Sequence, residues 1–390
     1  MRARPILRSS GGCRLRPQSP SICQCRRDLH RFGYAVLSLL DFSQEDRERA
    51  ARYHRPLYAA VGLRLLIVLA VFGAFTQLSF GGLGWLGGAL VWPVVVLASV
   101  GIVCLPLDAW RGLVRERRFG LSTQTAGGWL ADRAKGEAVE LVLAALVWAV
   151  AVGLGRALPR WWPVPAAAGL ALLVLVLSFV APVVLEPLFN RFRPLDDERL
   201  AAELRALADR AGVPVRDVLV ADASRRTTRT NAYVSGLGPT RRVVVWDTLL
   251  AEADERELKL ILAHELGHRR ERHVLQGTLL AMAGAVAAVV VLWAAIGAPA
   301  PGDFPLAALL FTGLELVALP AMAATSRRWE RVADRWSLEL TGDRDAFARA
   351  HVSLARKNLS DLDPPRLAYV FLFTHPTPPE RLALAEGRGV

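Results

Sequence analysis

Six long apolar runs decide the fold class of this 390-residue chain before any other feature does. They cover about residues 57–75, 83–107, 138–154, 164–185, 274–298 and 304–324. Each is close to the roughly 20 residues that a helix needs to cross the hydrocarbon core of a bilayer. Inside lipid a segment must satisfy its own backbone hydrogen bonds, and a helix does so. The sequence therefore predicts a polytopic α-helical membrane protein with about six transmembrane helices and separate non-membrane parts. Composition agrees: 53% of residues are hydrophobic, against about 45–50% in soluble domains, and the excess lies in those runs.

The chain carries a formal net charge of +12. A nucleic-acid binder would share that excess, but here the basic residues lie mostly between and after the apolar runs. Arg47, Arg49, Arg52 and Arg55 precede the first run; Arg111, Arg115, Arg117, Arg118, Arg133 and Lys135 separate the second from the third. Segments 190–272 and 326–390 are also Arg-rich, whereas the loops near 81–82, 156–160 and 299–303 are short and carry little charge. The positive-inside rule puts both termini and the long segment in the cytosol, which an even number of spans permits. The bilayer is the expected partner, and nucleic acid is not. The only lysines are Lys135, Lys259 and Lys357, and Ala and Gly abound. That coding bias fits a GC-rich bacterial genome, so the expected location is a bacterial plasma membrane with the active site facing the cytoplasm.

The expected division has five parts: a disordered tail over 1–41, four membrane helices within 42–189, a cytosolic catalytic segment over 190–272, two further membrane helices within 273–325, and a C-terminal catalytic segment over 326–390. The tail is Arg-rich and has no apolar stretch long enough for a secretory signal; the patch at 32–40 is too short to span. Cys13, Cys23 and Cys25 lie in it and Cys104 lies in an apolar run, which disfavours a disulfide framework. Within the soluble part, 197–211 has helical spacing with Leu200, Leu204 and Leu207 on one face. Short apolar runs at 213–221 and 242–246, and 230–234 between them, read as strands. Asp254, with Glu257 three residues on, caps the next helix. The cytosolic part is thus α+β.

That helix runs through His264-Glu265-Leu266-Gly267-His268. Four residues apart on a helix, His264 and His268 project from one face and can reach a single Zn²⁺. Glu265 stands beside them, placed to take a proton from a water on the metal. Gly267 is a poor helix former, about 1 kcal/mol worse than Ala, so another element is expected close to it. The plainer alternative is a solvated face rich in His and Arg, since Arg269, Arg270, Arg272 and His273 follow. The chain has only seven histidines, which makes a chance motif rare.

A catalytic zinc needs a third protein ligand and an open position. Glu271, Glu315, Glu330, Asp334, Glu339 and His375 are the downstream candidates. The motif precedes the fifth span and Glu330 follows the sixth, so a two-span hairpin returns Glu330 to the same membrane face. Asp334, one turn on, is placed to accept a hydrogen bond from a ligating imidazole. An ordinary exposed helix among Arg327, Arg328 and Arg331 is the competing reading. Arg64 and Glu315 lie inside apolar runs, where charge is expensive. They point either to a polar cavity among the spans or to snorkelling side chains.

Several stretches taken in order resemble one family: Arg118-Phe119-Gly120-Leu121-Ser122-Thr123-Gln124-Thr125; Glu186-Pro187-Leu188-Phe189-Asn190; Thr230-Asn231-Ala232-Tyr233-Val234-Ser235-Gly236; the His264 motif; Glu330-Arg331-Val332-Ala333-Asp334; and His375-Pro376-Thr377-Pro378-Pro379-Glu380-Arg381-Leu382. From about Phe42 to the C-terminus the chain is similar to the CAAX prenyl protease type 1 family. The resemblance implies membrane helices around a water-filled interior chamber, with one zinc per chain near its cytosolic end. It implies His264, His268 and Glu330 as metal ligands, Glu265 and Asp334 in the catalytic centre, and Asn231 and His375 on the substrate backbone or the developing oxyanion. Arg381 is a further candidate for substrate binding. The eukaryotic members have seven spans, and the first has no counterpart here.

The expected activity is that of a zinc metalloendopeptidase acting on a peptide or protein, with or without membrane association or a lipid modification. Two other classes compete. A non-catalytic quality-control or scaffold protein would keep zinc for structure, but Glu265 beside the histidines argues against it. A transporter would use the spans and their charges, but the sequence shows no inverted repeat.

Overall fold

Side-chain caps start two of the membrane helices, at Ser43 and Thr125, well before their apolar runs begin. The computed structural model describes residues 42–386 apart from 79, 80 and 237, so the tail expected over 1–41 lies outside the described residues. Helix α1 is Gln44–Phe75. Its Ser43 cap accepts from the Asp46 amide at 3.1 Å, and Asp46 accepts from the Ser43 amide at 3.0 Å. Helix α2, Gly84–Ala109, continues through a wide-wound segment, Trp110–Arg115, to Arg118. Thr125 caps α3, Ala126–Ala157, by accepting from the Gly128 amide at 3.0 Å. Helix α4, Pro163–Val180, runs through a second wide segment, Ala181–Leu185, to Phe189. Helix α7, His273–Ile296, and helix α8, Phe304–Thr341, form the final hairpin.

These six helices are long and apolar enough to cross a membrane, matching the six expected runs. All but α7 outrun their apolar runs, because a helix does not end where lipid does. Beyond the bilayer, α1, α3 and α8 continue as polar helices that pack on the soluble part. No residue of α4 is buried within the protein. In water such a surface would be unstable, whereas in lipid it meets its own solvent. A cavity of about 810 Å³ lies among the spans, and all six contribute to its largely apolar wall. Arg64, Glu140 and Glu315 border it, in keeping with the polar-cavity reading of the intramembrane charges. Arg64 also donates to Asp108 at 3.3 Å.

The soluble part is built on a four-stranded sheet of β1 Phe192–Pro194, β2 Asp217–Ala221, β3 Ala232–Ser235 and β4 Arg242–Trp246, in the order β1-β2-β4-β3. β2 and β4 run parallel with Leu219 opposite Val244, while β3 pairs antiparallel with β4, Tyr233 opposite Val244. Three strands lie within or overlap the expected segments. β1 was not expected, because three residues ending in proline give no alternating pattern.

Helix α5, Glu198–Arg210, is capped by Asp197 and turns Leu200, Leu204 and Leu207 onto the sheet. Helix α6, Glu255–Arg270, starts at the expected Asp254–Glu257 capping box. Its Leu258, Leu262 and Leu266 complete the same core, with Val218, Val220, Val243 and Val245 from the sheet.

Helix α6 also crosses α8, and Gly267 sits at the crossing. A Cβ there would lie 3.2 Å from the Ala333 Cα and 3.3 Å from Trp336 Cε3. The close neighbour that the glycine implied is therefore α8, and Ala333 at the contact lies between Glu330 and Asp334. Gly267→Ala gains about 1 kcal/mol of helix propensity but overpacks the contact at a cost of about 1–3 kcal/mol. The variant is expected to unfold at lower temperature in detergent. Gly284→Ala, where nothing lies within 4 Å, should not, and differential scanning fluorimetry of both checks this.

Candidate metal and active site

Four elements converge at the membrane end of α6: α6 itself, α8, helix α9 (Arg344–Asn358) and the segment between helix α10 (Arg366–Leu372) and helix α11 (Pro378–Ala385). His264 and His268 stand one turn apart with Nε2 atoms 3.1 Å from each other. His264 Nε2 lies 3.3 Å from Glu330 Oε2, and His268 Nε2 lies 3.2 Å from Glu330 Oε1. One ligand atom from each of the three residues falls within 4.8 Å of the others. The continuous helix α8 produces this geometry by carrying Glu330 back out of the membrane hairpin, as the sequence suggested.

The outer nitrogens decide what the inner ones do. His264 Nδ1 lies 2.8 Å from Asp334 Oδ1, so it carries the proton and donates to the carboxylate. His264 Nε2 is then an acceptor, and it faces a carboxylate and a second imidazole nitrogen. Glu330 Oε2 is buried and finds no hydrogen-bond partner. Acceptors facing one another without a donor need a cation between them, so the residues present fit a metal ion. Burial disfavours charge on His264, but the neighbouring Asp334 and Glu330 carboxylates outweigh it and raise the imidazole pKa to about 10. A site that prefers positive charge so strongly binds a proton or a metal at that point.

Glu265 projects beside the trio, and its side chain makes no hydrogen bond to another described residue. Burial pushes its carboxyl up from the ordinary range, while the charges of His264 and His268 pull it back down. An acid poised in this way suits a general base.

Asp334 is fully buried. Arg381 answers its charge with a two-pronged contact, Nε donating to Oδ2 at 2.8 Å and Nη2 donating to Oδ1. Arg381 is the further substrate-binding candidate; in this structure its guanidinium is turned to the buried carboxylate, because an unpaired charge at that depth is costly. His351, on α9, lies 3.7 Å from Asp334 Oδ1, and its Nδ1 donates to the Phe347 carbonyl at 2.8 Å. Burial and then the Arg381 charge press its imidazole down to about 3, so it stays neutral.

His375 is exposed, and its Nε2 sits 3.3 Å from Glu330 Oε1. Its loop is held by Arg327, which donates to the Tyr369 carbonyl at 2.9 Å and to the Phe373 carbonyl at 2.6 Å. Thr377 then caps α11 with Glu380 in a capping box. Asn231 is exposed at the start of β3, and no contact joins its side chain to His264, His268 or Glu330. Its strand is the sheet edge that packs against α6, and Arg269 donates to the Val234 carbonyl on it.

Sequence reasoning passed over two features. His273 approaches His268, its Nδ1 3.0 Å from His268 Nδ1. Glu186 gathers the β3 side chains Tyr233 and Ser235, at 3.3 and 3.0 Å, together with Arg242 at 3.2 Å. The Glu186 stretch was singled out only by family resemblance, and pattern alone does not predict its contacts.

Six membrane-length helices ending at a His, His, Glu cluster with a buried acid beside it define an integral-membrane metallopeptidase. A family model described as Peptidase family M48 matches residues 194–388, and one described as CAAX prenyl protease N-terminal, five membrane helices, matches residues 49–191. Four membrane-length helices, α1 to α4, are described over that second stretch. The chain is 33% identical to the uncharacterized metalloprotease YhfN of Bacillus subtilis over 306 residues, covering 73% of this chain and 70% of that one. It is 27% identical to CAAX prenyl protease 1 of Saccharomyces cerevisiae over 310 residues, covering 72% and 68%. Its fold is similar to the crystal structure of S. mikatae Ste24p, with a TM-score of 0.74 and 24% identity, over 88% of this chain and 89% of that one. This chain belongs to peptidase family M48, with a CAAX prenyl protease N-terminal region; it is a membrane metalloendopeptidase acting on peptides or proteins.

Removing one partner of the Asp334–Arg381 pair should be far worse than removing the pair. Arg381→Leu leaves a buried, partly uncompensated carboxylate and is expected to destabilise by about 3–5 kcal/mol. Adding Asp334→Asn to that variant should recover part of the loss, which a double-mutant cycle of denaturant unfolding in detergent measures.

Proposed function

We propose that the chain is a zinc-dependent endopeptidase in which His264, His268 and Glu330 hold the ion and Glu265 is the general base. The observation that carries the reading is the convergence of acceptors on one point with Glu330 Oε2 buried and unpartnered. The donor set, two imidazoles and one carboxylate, is one that zinc takes in catalytic sites. Held by these three residues, Zn²⁺ would supply Lewis-acid chemistry, lowering the pKa of a water toward 7 and polarising a carbonyl oxygen.

The chain's own groups do the rest. Glu265 accepts the proton of the attacking water and returns it to the leaving amine. Asp334 holds His264 with its Nδ1 protonated, and Arg381 keeps Asp334 ionised. The outer edge of β3 takes the substrate as an added strand, with Asn231 at its start. Asn231 and His375 position the peptide or donate to the oxyanion that forms at the attacked carbonyl.

The substrate is a peptide or protein presented at the membrane. Relatives carry the name CAAX prenyl protease, and the largely apolar cavity of about 810 Å³ has room for a lipid-modified segment as well as a plain one. The charge asymmetry of the loops supports a plasma-membrane location with the site facing the cytoplasm.

Glu265→Gln is expected to retain about one zinc per chain and to lose cleavage by several orders of magnitude. His264→Ala and His268→Ala are expected to lose the metal. Metal analysis with cleavage assays on any substrate the wild type cuts checks both; full activity in Glu265→Gln refutes the mechanism. For topology, a cysteine placed at Gly82 should react in intact cells with a membrane-impermeant maleimide, and one at Asp363 only after lysis.

A further inference from the structure

We infer that His273 is a positioning residue that holds His268, so that the two histidines of the metal centre are oriented by partners of different charge. The inference rests on the proposal above that His268 is a metal ligand. His268 Nε2 faces His264 and Glu330. Its Nδ1 points the other way and lies 3.0 Å from His273 Nδ1. For Nε2 to be free to ligate, Nδ1 carries the proton and donates it to His273, which is then neutral with its own proton on Nε2. His264 donates instead to the Asp334 carboxylate at 2.8 Å. A ligating imidazole nearly always has such a partner, and a charged acceptor makes the ligand more basic than a neutral one.

The backbone is built to bring this about. Five residues along a continuous helix are about 140° apart around its axis, so His268 and His273 would not meet on an unbroken one. The break is Arg272, which takes the left-handed conformation at φ 58° and ψ 28°. This is a disfavoured state for a non-glycine residue, and nearby structure must hold it in place. It ends α6, starts α7 and folds His273 back onto His268, with ring centroids 5.1 Å apart. The far side of the His273 ring is fixed too. It stacks on Trp329, 5.2 Å between centroids and 15° between planes, and Trp329 directly precedes Glu330. His273 is buried, so solvent does not supply an alternative partner. One imidazole therefore joins the two halves of the ligand set, touching His268 on α6 and packing on the turn of α8 that carries Glu330.

The test uses the full-length protein in detergent, stripped of metal and titrated with Zn²⁺ against a chelator of known affinity, with Co²⁺ as a spectroscopic probe. His273→Phe keeps a ring on Trp329 but removes the acceptor. It is expected to bind Zn²⁺ about 10- to 100-fold more weakly and to shift the visible Co²⁺ bands. His273→Asn, whose side-chain oxygen can stand where Nδ1 stands, is expected to recover most of the affinity and the wild-type spectrum. His273→Leu, which has the shape of Asn without the acceptor, should behave like the Phe variant. Wild-type affinity and spectrum in the folded Phe or Leu variant overturn the inference, as does an Asn variant as weak as either. If neither Phe nor Leu folds, the Asn variant decides alone: recovery supports the role, and a tenfold loss overturns it. His268→Ala serves as the separate control, since metal binding unchanged in that variant would instead overturn the ligand assignment itself.

Discussion

Asp334 carries its charge where no water reaches it, and the arrangement of the soluble part follows from answering that charge. A buried carboxylate is tolerated only if paired and hydrogen-bonded. Arg381 supplies the pairing from the last described helix, and His264 supplies a hydrogen bond from α6. The same three-way contact ties α6, α8 and the C-terminal segment together. It also sets the tautomer of His264, which in turn fixes the direction from which His264 presents its free nitrogen. Docking of the C-terminal segment on Asp334 and the orientation of His264 are therefore coupled through one carboxylate.

The molecule solves two solvation problems with one set of helices. In the membrane, α4 leaves its apolar side chains to lipid, while the sheet and α5 shut theirs away from water. The wide-wound turns in α2 and α4 fall where these helices leave the apolar zone and approach the soluble part. Such turns are frequent at functional sites because they re-aim side chains without ending the helix. The second leads directly to Glu186, which braces β3 through Tyr233 and Ser235. The edge strand next to α6 is thereby fixed from the membrane side as well as from the sheet.

What could be read in advance follows physical range. Spans announce themselves because twenty apolar residues have few other uses, and His264 with His268 can be read because helical spacing is local. Glu330 became readable once the hairpin was counted, since two membrane crossings return the chain to its starting face. Arg381 and Asp334 are 47 residues apart, and nothing in either neighbourhood names the other. His273 was hidden for a sharper reason: helical periodicity places it away from His268, and the left-handed step that reverses this falls on an arginine, with no glycine or asparagine to mark it. The sheet was partly readable, with β2, β3 and β4 visible as apolar runs and β1 too short to show a pattern.

Helix α8 carries one residue of the His264, His268 and Glu330 cluster on a long membrane rod. It runs unbroken for 38 residues from Phe304, with Glu330 beyond the apolar stretch. At 1.5 Å per residue, Glu330 sits about 39 Å along that rod, where a tilt of one degree moves it by about 0.7 Å. Tilt is the usual way a helix adapts to bilayer thickness. Pro320, ten residues before Glu330, is the compliant point in the rod. A change of tilt in that rod would act at the fit of the carboxylate to the two imidazoles, and the close packing of α6 on α8 at Gly267 is what resists it.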